Sequence, residues 1–224
     1  RPWYFNHIRA DPRDPNTVWV LNFEIWRSVD GGSNYSVVSG PHADYHDLWI
    51  DPVNTDRAIL GGDGGGCVSF NYGQSWSTVY NQPTGEFYHA AVDSRYPYRV
   101  YGAQQDNTTM SVPSRSNTDA IAMTDWYEIG GGESGYIAIR PDDPNIIYAG
   151  AQAGPLTRYD HARGQKLDIA VWPDSNRGAG AEGYKFRPNW TSPTILAPDD
   201  PNVLYYGTNV VHRSTSEGRA WDVI

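Results

Sequence analysis

The stretch Arg140-Pro141-Asp142-Asp143-Pro144-Asn145, with Ile147-Tyr148-Ala149 close behind it, decides the architecture because it recurs. Related turns stand at Asp11-Pro12-Arg13-Asp14-Pro15-Asn16, Asp51-Pro52-Val53-Asn54, Asp93-Ser94-Arg95-Tyr96-Pro97 and Ala197-Pro198-Asp199-Asp200-Pro201-Asn202. Their first positions, 11, 51, 93, 140 and 197, are spaced by 40, 42, 47 and 57 residues. Those spacings approach the roughly 40 to 50 residues of a four-stranded propeller blade and exceed the period of the shorter solenoid repeats. Seven to nine residues after each first position lies a short β-branched or aromatic run: Val18-Trp19-Val20, Ala58-Ile59-Leu60, Val100-Tyr101-Gly102, Ile147-Tyr148-Ala149 and Leu204-Tyr205-Tyr206. Another apolar run precedes each turn, at Phe5 to Ile8, Leu48 to Ile50, His89 to Val92, Tyr136 to Ile139 and Thr194 to Leu196. Each unit therefore opens as strand, tight turn, strand.

Composition agrees with this reading. The 224 residues include 23 Gly, 16 Pro, 9 Trp and 16 Tyr, a mixture of turn formers and rings that suits pleated sheets. No long segment carries apolar residues at i, i+3, i+4 and i+7, so little helix is expected. The net charge is −9, which offers no cationic surface to a phosphate backbone; nucleic acid is not expected as a partner. No run approaches the roughly 20 apolar residues of a membrane helix, so no membrane insertion is expected. Cys67 is the single cysteine. It excludes an internal disulfide and reads as a small buried hydrophobe.

The second half of the unit carries another signature, Ser-x-Asp-x-Gly-x-x-aromatic. It stands at Ser28-Val29-Asp30-Gly31-Gly32-Ser33-Asn34-Tyr35, Ser69-Phe70-Asn71-Tyr72-Gly73-Gln74-Ser75-Trp76 and Ser214-Thr215-Ser216-Glu217-Gly218-Arg219-Ala220-Trp221. Ser and Asp or Asn satisfy the donors of a tight turn, Gly supplies positive φ, and the ring covers the hairpin. Units three and four lack the box, with Trp126 and Trp172 expected where its closing aromatic would lead into the last strand.

With these boxes the sequence resembles the Asp-box (BNR) repeat β-propellers, and more closely the bacterial sortilin-like proteins labelled BNR-repeat glycosyl hydrolases. The residues that carry the resemblance are His42-Ala43-Asp44-Tyr45-His46-Asp47-Leu48-Trp49-Ile50-Asp51-Pro52, Gly61-Gly62-Asp63-Gly64-Gly65, Gln104-Gln105-Asp106-Asn107 and Gly130-Gly131-Gly132-Glu133. The fold class expected is all-β, a propeller of five four-stranded antiparallel blades at about 1–40, 41–83, 84–131, 132–175 and 176–224. The resemblance implies a portion of a larger, tandem propeller protein and a secreted, cell-surface or periplasmic location.

Propeller topology places the loops entering each first strand, and those joining second to third strands, on one face. The boxes fall on the opposite rim and are read as structural. The face loops contribute His42, Asp44, His46, Glu86, Tyr88, Glu133, Arg187, Asn189 and Trp190 from the first type. The second type, twelve residues after each repeat start, contributes Phe23, Asp63, Gln105, Gln152 and Asn209, with Asp106 and Asn107 alongside. The residues between Asp174 and Pro193 are expected to drape over this face.

Two functions of different class fit. One is a carbohydrate-directed propeller that binds a polysaccharide or oligosaccharide, with Tyr88 and Trp190 as stacking rings. Hydrolysis would need two carboxyl groups about 5 to 10 Å apart; Asp44 with Asp63 is the first-choice pair, with Glu133, Asp106 and Glu86 in reserve. Only Arg187 would meet a substrate carboxylate, which disfavours sialidase chemistry. The other is a non-catalytic sortilin-like module that takes a peptide or protein. No cofactor is required. His42-x-Asp44-x-His46 would point three ligands one way along an extended strand, a candidate site for a divalent metal ion.

Overall fold

Each repeat closes its first hairpin in the same way. The backbone N–H of the first turn position donates to the carbonyl six residues on: Asp11 to Thr17 at 2.9 Å, Asp51 to Arg57 at 3.0 Å, Asp93 to Arg99 at 3.2 Å, Arg140 to Ile146 at 3.0 Å and Ala197 to Val203 at 2.9 Å. Inside four of these loops Asp14, Asn54, Asp143 and Asp200 accept the N–H two residues further along. This Asx turn reverses the chain without spending strand residues. The tight turn expected between the first two strands is thus a seven-residue closed loop, and its prolines need no amide partner.

The computed structural model describes residues 4, 7–82, 84–173 and 180–224; Phe5 of the first expected strand and residues 174–179 of the long connection lie outside them. The strands are β1 His7–Ala10, β2 Val18–Leu21, β3 Ile25–Ser28 and β4 Ser36–Val38; β5 Tyr45–Ile50, β6 Ala58–Gly62 and β7 Gly65–Ser69; and β8 Phe87–Val92, β9 Arg99–Gln104, β10 Thr109–Pro113 and β11 Tyr127–Glu128. They continue as β12 Ile137–Ile139, β13 Ile146–Gly150, β14 Leu156–Asp160 and β15 Gln165–Asp168, then β16 Thr194–Leu196, β17 Leu204–Gly207, β18 Val211–Ser214 and β19 Asp222–Val223. Each sheet is a consecutive antiparallel meander, so the chain is an all-β propeller built of antiparallel blades. No helix among the described residues is long and apolar enough to cross a membrane.

Two compact units result, Arg1–Thr84 with the first two blades and Gly85–Ile224 with the last three. Within each unit the first strands of successive blades are neighbours, β1 with β5 in one, and β8 with β12 and β12 with β16 in the other. Cores form between blade faces. Trp19, Leu21 and Ile25 meet Tyr45, Leu48, Leu60 and Cys67 in the first unit. In the second, Tyr101 and Ile129 meet Ile147 and Ala149, and Tyr148, Leu156 and Ile169 meet Leu204 and Tyr206. Burying each of the Leu and Ile side chains among them contributes roughly 1.5 to 3 kcal/mol. Cys67 is buried as expected, and burial pushes its thiol up to about 11.

Two expectations need correction. Among the described residues the second blade has three strands, β5-β6-β7, and not four. Its outer edge is met by one backbone bond, from Ser77 N–H to Val68 O at 2.8 Å, and otherwise by side chains: Ser77 Oγ accepts the Val68 N–H at 3.0 Å, and the Gln82 amide accepts from Gly66 N at 3.1 Å while donating to Gly66 O at 2.7 Å. A single backbone pair with side-chain groups meeting the rest of the edge leaves no continuous strand. In the fourth blade Trp172 follows the last strand rather than leading into it. There Asp160 accepts the Arg163 N–H and pairs with its guanidinium, so the hairpin turns at residues 161–164 and the final strand comes early.

Candidate functional site

The box hairpins do the structural work expected of them. Ser28 Oγ accepts the Gly32 N–H at 2.9 Å and donates to Asp30, whose carboxylate accepts Asn34 N–H at 2.8 Å. Ser69, Asn71, Gly73 and Ser75 repeat the pattern, as do Ser214, Ser216, Gly218 and Ala220. Each turn takes two successive residues at positive φ, one of them Gly32, Gly73 or Gly218. The ligand face must therefore be sought in the other loops.

In the first unit the loop that enters β5 is pinned to the preceding blade: Asp44 N–H donates to Phe23 O at 3.1 Å and Tyr45 N–H to Asn22 O at 3.0 Å. Asp44 sits at φ 55°, outside β5, so His42, Asp44 and His46 do not alternate along one extended strand. The three-ligand arrangement rested on that alternation, and the turn removes it. His42 Nδ1 faces Ala43 O, whereas His46 Nε2 lies 2.8 Å from Asp63 Oδ1 and its ring meets Tyr4 edge-on. Asp63 N–H donates to Asp44 O at 3.1 Å, an approach that Gly62 permits, since a Cβ there would lie 2.9 Å from the same oxygen. Carboxylate oxygens of Asp44 and Asp63 come within 4.8 Å of each other, close enough for both to reach one divalent cation. Among the described residues Asp44 Oδ1 is buried with no hydrogen-bond partner. Asp47 is taken up by Arg9, whose guanidinium holds its carboxyl below the usual range.

In the second unit the expected face residues form one network. Glu133 Oε2 accepts the Asp106 N–H at 2.9 Å, and Oε1 accepts Gln152 Nε2 at 2.7 Å. The Gln105 N–H donates to Glu86 O at 2.9 Å, and Asn107 Nδ2 donates to Gln105 O at 2.9 Å. Trp190 is half-exposed, yet fixed at two points: its Nε1 donates to Tyr88 Oη at 3.2 Å, and its carbonyl accepts from Ser134 Oγ at 2.9 Å. Asn209 Oδ1 accepts the Arg187 N–H at 2.8 Å, and the Asn189 N–H donates to Ser192 Oγ at 2.9 Å. The described part of the long connection thus reaches the blade-three and blade-four loops through Trp190.

Beside this network lies a feature that sequence reasoning missed. A cavity of about 190 Å³ opens between the fourth and fifth blades, with Gln152 on its wall and Pro155, Trp172, Phe186, Pro188 and Tyr206 among its lining residues. Lys185 Nζ stands 3.5 Å from the Trp172 ring centroid. The sequence signal was Trp172 itself, an aromatic in a blade with no box to cover. Its partners are too far along the chain for local reading to find them.

Fold and loops together define an all-β propeller whose second unit presents a polar network beside an aromatic cavity. Among solved structures the chain is similar to the GH74 xyloglucanase from Xanthomonas campestris, at 17% identity and a TM-score of 0.41, covering 99% of this chain and 38% of that one. It is similar to a GH74 enzyme of Niastella koreensis at 12% identity and a TM-score of 0.43, covering 96% and 37%. It is also similar to YCF48 from Cyanidioschyzon merolae at 14% identity and a TM-score of 0.39, covering 97% and 84%. The chain spans less than two-fifths of the length of those two GH74 chains. No protein-family model and no curated protein matches the sequence.

Proposed function

We propose that the chain is a non-catalytic recognition module that takes a peptide or partner-protein segment on the loop face of its three-blade unit, outside the cytosol. The observation that carries this reading is the commitment of Glu133. Both of its oxygens are spent, on the Asp106 N–H and on Gln152. A carboxylate tied at both oxygens to neighbouring loops fixes the shape of those loops. The half-exposed Trp190, fixed at two points on the loop face, is the kind of anchor that dominates peptide interfaces.

A carbohydrate-directed function is the second reading. It is favoured by Asp44 and Asp63, whose carboxylate oxygens lie within 4.8 Å of each other, since glycoside hydrolysis uses a pair of neighbouring carboxyl groups. Selection of a displayed random-peptide library on the immobilised protein, with a polysaccharide panel run in parallel, separates the two. Peptides should be enriched, Trp190→Ala should weaken their binding by roughly tenfold or more, and Asp44→Asn or Asp63→Asn should leave it unchanged. Recovery of no peptide, together with glycan binding or cleavage that depends on Asp44 and Asp63, would overturn the module in favour of the second reading.

A further inference from the structure

The cavity between the fourth and fifth blades is distinct from the polar network but continuous with it, since Gln152 lines the cavity and hydrogen-bonds Glu133. Its size excludes an oligosaccharide or an extended peptide, because about 190 Å³ holds a single ring or side chain; a cavity of about 150 Å³ accepts benzene. Its chemistry narrows the choice further. Trp172, Phe186 and Tyr206 supply three rings, and Pro155, Pro173 and Pro188 supply rigid apolar walls.

Several polar groups on the wall are already engaged. Gln152 Nε2 is bound to Glu133, and Asp168 Oδ1 accepts the Ala170 N–H at 2.9 Å. Thr208 Oγ1 donates to Val210 O at 3.2 Å and lies 2.9 Å from His212 Nε2, while Tyr206 Oη donates to Gly154 O at 3.1 Å. A pyranose placed here would bury several of its hydroxyls against ring and proline walls, and unpaired buried polar groups are costly. An apolar ring carries no such penalty and meets aromatic walls at which edge-to-face and offset packing are favourable. Lys185 holds the Trp172 ring from outside the lining. The described part of the long connection also ties the two features together: Phe186 and Pro188 turn into the cavity, and Trp190 reaches Tyr88.

We propose that this cavity is an anchor site for one phenylalanine-sized aromatic side chain of the peptide or protein partner held on the adjoining loop face, an inference that rests on the recognition-module reading. The test titrates N-acetyl-phenylalaninamide and, separately, methyl β-glucopyranoside into the full chain while the Trp172 indole N–H resonance is followed, assigned by its loss in Trp172→Phe. The amide should shift that resonance and the glucoside should not. Ala170→Leu, which fills the cavity from its wall, should weaken the response at least tenfold while the thermal unfolding midpoint shows the variant folded. If that variant fails to fold, Trp172→Phe followed by indole fluorescence of the remaining tryptophans serves the same purpose. Peptides recovered from the display library should carry an aromatic residue and lose affinity in Ala170→Leu by a similar factor.

A response to the glucoside equal to or greater than that to the amide would overturn the proposal, as would no response to either. Peptides that depend on Trp190 but are indifferent to Ala170→Leu would remove the cavity from the site and leave the recognition module standing. An empty peptide selection would fell the module itself, so the two failures are told apart.

Discussion

Asp30 gives its oxygens to its own hairpin, one to the Asn34 N–H and to Ser28 Oγ and the other to Asn34 Nδ2. The hydrogen bonds from Asn34 come first among the causes that hold its carboxyl down at about 2. A carboxyl depressed in the folded state contributes stability above its ordinary value near 3.8, and that contribution is lost as pH falls toward 2. Asn71 occupies the same position in the second box and accepts the same kind of N–H, so Asp30→Asn should fold. We expect the wild-type unfolding midpoint to drop further than that of Asp30→Asn between pH 5 and pH 2.5, read by circular dichroism. Equal drops would show that Asp30 is not linked to folding.

Between elements, the residue ahead of the box glycine joins neighbouring blades. Tyr72 and Glu217 both occupy it at positive φ, 58° and 56°, a conformation unfavourable for any side chain other than glycine. Each is held by a partner on the preceding blade. Tyr72 Oη donates to Asp11 Oδ2 at 2.6 Å, and Glu217 pairs with Arg140 at 3.3 Å and Arg158 at 3.0 Å. Asp11 and Arg140 are both first residues of their repeats, so one rule links blade two to blade one and blade five to blade four. Asp11 is buried, and removal of a donor from a buried carboxylate costs about 1 to 3 kcal/mol. Tyr72→Phe should therefore lower the unfolding free energy in urea by about that amount. A change below about 0.5 kcal/mol would show the latch to be incidental.

For the whole molecule, charge sets behaviour in solution. With a net charge of −9 at pH 7 and a pI near 5.0, self-repulsion disappears as pH falls to about 5, and association should follow. Light scattering should rise steeply between pH 6 and pH 5 at low salt and fall again on return to pH 7. A flat profile would mean that exposed apolar groups, not charge, govern association.

Legibility follows the distance between partners along the chain. Position +12 of each repeat, carried by Phe23, Asp63, Gln105, Gln152 and Asn209, falls in the connection between second and third strands because each hairpin is closed by its own turn. Most of the loop face was readable for that reason. The His42-Asp44-His46 geometry was not, because the φ of Asp44 follows from hydrogen bonds to Asn22 and Phe23 in the blade before it. Nor was the missing fourth strand of the second blade, which depends on where the Ser77 and Gln82 side chains land.

By itself, then, the sequence determined the all-β class, the five repeats, the strand–turn–strand opening of each, and the loops that carry the polar face. Those features arise from hydrogen bonds and side-chain alternation within a few residues. Only the tertiary structure decided which carboxylates are spent, where blades latch, and that an aromatic cavity stands beside Glu133. These depend on groups such as Tyr88 and Trp190, 102 residues apart, which only the packing of separate blades brings together.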